Sequence, residues 1–361
     1  MRVLFDGFWW VKGPTANQTV MREFVKAWVR AFPRDEVLVA VRSRHRDDAI
    51  LPATAAPVYT HLAPQAATNA LELGVLAKKH HVDAVVAHNY APLFGRSAVF
   101  IHDLLFKDHP EWFTTKERVY FAAMGPLARR ADAVCTSSLT EAYRIERLEP
   151  RLRPVSATGL GVSSQLAAAT ARRPASLRDV RRFVLSVGRM NVRKNLGVAI
   201  EGAMLAHSVS SERPLVIVGS SEYSGAAADL PPTVKDYVAD GRLVFLGRIS
   251  DEELRWMYEQ ADGFIFVSRD EGFGLPPIEA RHFGAPVIVS DIAVMREVAG
   301  PEAVFVSPNS PREVARAIDL LPARRGVHRP VGGIEHEWER CVAVIRARLD
   351  GDVGEEAKLN D

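Results

Sequence analysis

Residues 267–279 read Val-Ser-Arg-Asp-Glu-Gly-Phe-Gly-Leu-Pro-Pro-Ile-Glu. Two glycines and two consecutive prolines between Glu271 and Glu279 argue against one continuous helix. The preceding apolar run, Gly263-Phe264-Ile265-Phe266, reads as a buried strand. Gly272 and Gly274 permit a tight backbone, and Pro276 or Pro277 suits a first helical turn. The stretch is therefore expected to be a strand, a loop and a helix start. Glu271 falls on the loop, and Glu279 about one turn into the helix, whose unpaired N–H groups favour an anion. Such an arrangement suits a ligand with hydroxyls and phosphates.

Outward from this stretch, short apolar runs alternate with helix-like segments, the pattern of parallel sheets flanked by helices. In the first half, strands are expected at 2–5, 37–41, 82–87, 98–101, 133–136 and near Val155. Helices are expected from a cap at Asn17 to about Ala31, around 68–80, near 115–130 and from Ser138, with a Pro/Ala-rich connection before Thr68. Residues from about 161 to 181 are small, polar and basic, and read as a linker. The alternation restarts with strands at 183–187, 215–218, 243–246, 263–267, 286–289 and 303–306, with helices after Lys194, at 251–260 and at 310–321. A loop at 322–333 and a last helix from Ile334 to about Leu349 follow. The domains are thus drawn at 1–165 and 166–333, with a final helix at 334–349 and a fraying tail at 350–361.

At 361 residues the chain is longer than a single core usually grows, which agrees with two domains. Its 47% hydrophobic and 25% charged content is that of an ordinary soluble globular protein. The net charge of +2 leaves no electrostatic footprint for nucleic acid. Cys135 and Cys341 lack a C-x-x-C partner and read as reduced thiols in a reducing, cytoplasmic compartment. The N-terminus lacks the layout of a signal peptide, and no apolar run approaches the ~18 residues of a membrane span, so membrane contact is expected to be at most peripheral, at the inner face.

A second constellation lies at Gly188-Arg189-Met190-Asn191-Val192-Arg193-Lys194-Asn195. A strand ends at Gly188, and two cations, Arg189 and Lys194, flank a helix start. The glycine lets backbone approach an anion that the cations neutralise; a turn with solvated charges is the rival reading. Neither a G-x-G-x-x-G after the first strand nor a G-x-x-x-x-G-K-[ST] is present.

The chain resembles the retaining, nucleotide-sugar-dependent glycosyltransferases of family 4, which have two facing Rossmann-like α/β domains, the GT-B fold. Four segments carry the resemblance in order: Ile101-His102-Asp103-Leu104, Ser186–Arg189 with Arg193-Lys194-Asn195, the run Leu246-Gly247-Arg248 to Leu254, and Glu271 to Glu279. Trp338 in the last helix matches the family's habit of crossing back to the first domain. The resemblance implies an interdomain cleft and roles position by position. Arg189 and Lys194 would hold the donor diphosphate, helped by backbone N–H groups near Phe273, Gly274 and Leu275. Glu279 would accept from the ribose hydroxyls and Glu271 from hydroxyls of the donor sugar. His102 would sit beneath that sugar. Gly188 would allow close backbone approach, and Gly247 and Arg248 would contact the base.

The first loop departs from the family's Gly-Gly pair, and Gly13 is its best counterpart. Phe8, Trp9 and Trp10 read equally as a stacking surface for sugar or lipid and as core. Asp103 reads as a turn orienter, and Ser268 either reaches a phosphate or closes the loop. The segment 116–130, with basic ends around Tyr120 and Phe121, reads as an ordinary surface helix or one that leans on a membrane. The resemblance implies transfer of a hexosyl unit from a GDP- or UDP-linked sugar to a hydroxyl of a polysaccharide, glycolipid or small glycoside, lipid-linked acceptors included, without metal or cofactor. The alternatives are a non-catalytic nucleotide-sugar-binding partner of an active transferase, or an epimerase or phosphorylase of the same fold.

Overall fold

The computed structural model describes residues 1–220, 230–321 and 338–351. The chain divides into two compact units. One comprises Met1–Asp108, Thr115–Leu160 and the C-terminal helix Trp338–Asp350; the other comprises His109–Thr114 and the chain from Gly161 to Glu335.

The first unit is a seven-stranded parallel sheet: β1 (Arg2–Gly7), β2 (Glu36–Arg42), β3 (Ala55–Thr60), β4 (Ala84–His88), β5 (Ser97–Phe100), β6 (Ala133–Thr136) and β7 (Val155–Ala157), in the order β3-β2-β1-β4-β5-β6-β7. β4, β5 and β6 are buried along their whole length, as strands covered on both faces must be. Leu4, Leu38, Val58, Val85 and Ala87 form a core with Leu73 and Ala77 of the helical segment that precedes β4. On another part of the unit, helix Trp338–Asp350 packs on helix Thr15–Ala31, with the Trp338 ring edge-on to Phe24 at 5.8 Å. The last helix therefore returns to the first unit, and the expected start at Ile334 and the loop at 322–333 lie outside the described residues.

Several expectations need correction. The Pro/Ala-rich connection contains β3, which the reading missed because Pro57 lies within it. Proline has no N–H for a ladder, so it is tolerated only where one side of the strand is unpaired, and β3 is the sheet edge. The helix expected to be capped by Asn17 begins at Thr15, after an extended Pro14, which leaves Asn17 inside it. The helix at 115–130 is two, Thr115–Phe121 and Met124–Ala128, because Pro126 cannot donate to the carbonyl four residues back and crowds it.

The second unit has six parallel strands: β8 (Val184–Val187), β9 (Leu215–Val218), β10 (Leu243–Gly247), β11 (Gly263–Phe266), β12 (Val287–Ser290) and β13 (Val304–Val306), ordered β10-β9-β8-β11-β12-β13. Helices Leu196–Leu205 and Pro311–Asp319 cover one face, with Ile200, Ile217, Ile265, Ile288, Val314 and Ile318 in one core. Helix Asp251–Gln260 starts with a capping box, in which the Ser250 hydroxyl accepts from the Glu253 N–H and the Glu253 carboxylate accepts from the Ser250 N–H. The expected linker is more ordered than its composition suggests: Ser163 caps helix Ser164–Ala168, and Leu177 is fully buried. Among the described residues, no helix is long and apolar enough to cross a membrane.

In each unit the chain fills one side of the sheet and then reverses. The reversal falls between β1 and β4 in the first unit and between β8 and β11 in the second. A crevice opens beyond the carboxyl ends of strands at such a switch point, which is where open α/β sheets bind ligands. The decisive stretch 267–279 leaves the carboxyl end of β11.

Candidate functional site

Three loops of the second unit are laced together at the carboxyl ends of β8, β9 and β10. The Gly188 N–H donates to the Val218 carbonyl at 2.9 Å, and the Gly219 N–H to the Gly247 carbonyl at 2.8 Å. Gly219 has φ +144°, and a Cβ on it would lie 1.9 Å from the Gly188 carbonyl oxygen, so only glycine fits. Gly219 was not singled out from the sequence, although it ends the apolar run Leu215–Val218. Gly188 itself is less constrained, since a Cβ there would be in ordinary contact with the Lys194 stem at 3.6 Å. Gly247 has φ +66° in open space, with exposed Arg248 after it.

The loop after β8 is tied to the loop after β11 by Asn195. This residue takes the left-handed conformation (φ 53°, ψ 39°) that ends the turn Val192–Lys194. Its side-chain amide donates to the Val267 carbonyl at 3.0 Å and the Pro308 carbonyl at 2.7 Å. The Arg269 N–H also donates to the Arg193 carbonyl at 2.9 Å. These bonds set Lys194 against Glu271, with Nζ 2.6 Å from Oε1, while Arg193 Nη1 stands 3.5 Å from Oε2. Lys194 also lies over the Phe266 ring, 4.5 Å from its centroid.

Both members of this pair are buried, their side chains 11% and 5% exposed. Burial alone would raise the Glu271 pKa, but Arg193 and Lys194 override it and hold the carboxyl at about 2. Burial, with the charges of Arg193 and Arg189, lowers Lys194 to about 8 against the opposing pull of Glu271. At neutral pH the pair is Lys⁺ and carboxylate. Arg193 is a third cation at this site to which the sequence reading gave no role. Ser268 is fully buried and its carbonyl accepts from the Ser290 hydroxyl at 2.6 Å, which ties the loop to β12.

Helix Leu275–His282 begins at Gly274, whose φ of +100° serves as the cap; a Cβ there would lie 2.5 Å from Met295 Cε. Pro276 and Pro277 carry no N–H, so among the first four helical residues only Leu275 and Ile278 can donate to an anion. Phe273, just before the cap, is 6% exposed. Glu279 sits in the second turn. Its Oε2 accepts from the Tyr258 hydroxyl at 2.9 Å. Burial raises its pKa to about 7, helped by the charge of Asp251 and opposed by the Tyr258 bond.

His102 and Gly13 belong to the first unit. His102 follows β5, and its N–H donates to Asn89 Oδ1 at 3.2 Å. Its ring stacks on His88 at 5.5 Å and stands edge-on to Phe100 at 5.1 Å. Burial first, then His88, lowers its pKa to about 3, so the imidazole is neutral. Asp103 accepts from the Leu105 N–H at 3.2 Å and orients the turn. The aromatic run after β1 divides: Phe8 and Trp10 are core at 4% and 3% exposure, while half-buried Trp9 packs on Gly13. A Cβ at Gly13 would lie 2.3 Å from the Trp9 ring. Asp6, which the sequence reading passed over, anchors this loop by accepting from Phe8 N–H, Gln65 and Asn69, each at 2.8 Å, and from His88 N–H at 3.3 Å. Tyr120 and Phe121 turn to Tyr90 and Phe106, with ring centroids 5.6 and 5.5 Å apart.

Residues 169–326 match the family described as Glycosyl transferases group 1. The O-antigen chain mannosyltransferase RfbU of Salmonella typhimurium is 28% identical over 249 residues, covering 69% of this chain and 67% of that one. The O-antigen chain mannosyltransferase B of Escherichia coli is 30% identical over 44% of this chain and 43% of its own. Among solved structures, sucrose-phosphate synthase from Thermosynechococcus elongatus superposes with a TM-score of 0.65 at 17% identity, over 97% of this chain and 94% of that one. Anabaena HepE in complex with UDP-glucose gives 0.62 at 17% identity, over 97% and 95%. The chain thus has the GT-B fold, and its residues 169–326 resemble the glycosyl transferases group 1 family.

Proposed function

We propose that the protein is a retaining glycosyltransferase that moves a hexosyl unit from a GDP- or UDP-linked sugar to a hydroxyl acceptor without a metal ion. The observation that carries this reading is the cluster of Arg193, Lys194 and ionised Glu271 at the β8/β11 switch point, with Glu279 on the adjoining helix. The mannosyltransferase names of the relatives favour a mannosyl donor and a polysaccharide or lipid-linked acceptor.

In this reading the reaction places growing negative charge on the departing diphosphate and positive charge on the sugar ring. Arg189 and Lys194 stabilise the first, together with the backbone donors around Phe273, Gly274 and Leu275. Glu271, held far below neutrality, cannot serve as an acid at pH 7; it accepts from sugar hydroxyls and orients the ring. Glu279 accepts from the ribose, and neutral His102 offers a hydrogen bond rather than a charge. The leaving phosphate oxygen takes the proton of the attacking hydroxyl on the same face, which retains configuration. Gly188, Gly247 and Arg248 complete the donor site of the second unit, and Gly13 keeps the role that the resemblance implies for the first loop. In this reading the enzyme works in the cytoplasm. A thermal-shift screen of GDP-, UDP-, ADP- and dTDP-sugars tests the reading, because a bound donor raises apparent stability by RT ln(1 + [L]/Kd). Stabilisation by one or two of them is expected; no shift with any donor at millimolar concentration would overturn it.

A further inference from the structure

We propose that Tyr258 is a positioning residue of the nucleotide site, which holds one oxygen of the Glu279 carboxylate so that the other is presented to the ribose. The proposal rests on the reading of Glu279 as the ribose acceptor. Tyr258 lies on helix Asp251–Gln260 and is fully buried. Its ring is stacked with Phe283 at 6.0 Å and edge-on to Phe264 at 5.7 Å. Phenylalanine would fill that space equally well. What the hydroxyl adds is the 2.9 Å bond to Glu279 Oε2, from one helix to the next. A hydroxyl fully withdrawn from water finds its partner in that carboxylate, as a buried polar group must.

The bond has a chemical consequence. An O–H that donates to a carboxylate favours its ionised form, against the burial and the Asp251 charge that favour protonation. An ionised carboxylate can accept from both hydroxyls of a ribose; a protonated one loses acceptor capacity. Among the described residues, Tyr258 and Asp251, both on helix Asp251–Gln260, are the groups that act on Glu279. Tyr258 thereby sets the pH range over which a ribonucleoside diphosphate binds.

The test is the affinity for UDP and for GDP, by calorimetry between about pH 5 and about pH 9, a span that brackets the raised carboxyl. In the wild type, affinity rises with pH through the Glu279 midpoint and declines again where Lys194, lowered to about 8, loses its proton. Glu279→Gln weakens binding and removes the rise. Tyr258→Phe moves the midpoint up by about one pH unit and weakens binding several-fold near neutrality. 3-Fluorotyrosine at position 258 keeps the fold's packing, donates more strongly and moves the midpoint down. A purely structural tyrosine would change melting temperature while both midpoints stayed with the wild type, and that result would overturn the proposal. If neither nucleotide binds the wild type at any pH, the nucleotide reading itself falls instead.

Discussion

Lys194 Nζ stands 2.6 Å from the Glu271 carboxylate across 77 positions of sequence, joining the loop that leaves β8 to the loop that leaves β11. Each partner compensates the other's burial before any ligand arrives. A donor that engages Lys194 through its diphosphate and Glu271 through its sugar therefore meets an ion pair already in place, which limits the reorganisation that binding requires.

Breaking that pair from one side leaves a buried charge. Lys194→Ala takes from the buried Glu271 carboxylate its partner at 2.6 Å, and a loss of about 3 kcal/mol in unfolding free energy is expected. The double variant Lys194→Met with Glu271→Gln should be more stable than the sum of its single changes by about 1–3 kcal/mol. Urea denaturation of the wild type, Lys194→Ala, Lys194→Met, Glu271→Gln and the double variant measures both; strict additivity would mean that the two side chains do not interact.

Asn195 combines a backbone task with a side-chain task. Asn195→Gly keeps the left-handed conformation and loses two hydrogen bonds, for about 2 kcal/mol. Asn195→Ala loses the bonds and adds backbone strain, about 1 kcal/mol more. Equal stability of the two variants would contradict this division.

Gly219 and Gly247 both have positive φ, yet differ in the space around them. Gly247→Ala meets nothing within 4 Å and should cost about 1–2 kcal/mol through backbone strain alone. Gly219→Ala meets the Gly188 carbonyl at 1.9 Å and should cost more than about 4 kcal/mol or prevent folding. Melting temperatures decide, and similar values for the two variants would show that the loops after β8 and β9 do not approach each other so closely.

The acid limb of the stability curve should come partly from two buried histidines. Burial lowers both His88 and His102 from 6.5 to about 3. Between those values the unfolded chain binds protons that the folded chain does not, so stability falls as pH drops below about 6.5. The slope is at most about 1.4 kcal/mol per pH unit for each histidine. His88→Phe should flatten the limb while leaving stability at pH 7.5 within about 1 kcal/mol. An unchanged slope would show that His88 titrates normally in the folded state.

Much of this architecture is local and therefore legible in residue spacing. Short apolar runs mark nearly every strand, and the glycines and prolines between Glu271 and Glu279 mark a loop that turns into a helix. β3 escapes because Pro57 looks like a strand breaker until the strand is known to lie at an edge. The switch points cannot be read either, since strand order is a matter of long-range pairing. At the site, Glu271 and Lys194 announce themselves by type and motif. Tyr258 does not, because a tyrosine on an amphipathic helix looks like core until its hydroxyl is seen to reach Glu279. Asn195, Gly219 and Asp6 act through partners or neighbours as distant as 113 positions, so their neighbours in sequence carry no trace of the task.

The central claim is that Lys194, Arg189 and Glu271 form the donor half of a metal-free retaining transferase site. The most direct measurement follows consumption of GDP- and UDP-sugars, with excess chelator, by wild type and by folded Lys194→Ala, and reads the anomeric configuration of the product by NMR. The expected result is transfer, or slow donor hydrolysis, with retained configuration by the wild type, and a loss of roughly 10²–10³-fold in the variant. Wild-type rates in folded Lys194→Ala, an inverted product, or turnover that requires an added divalent ion would each contradict it.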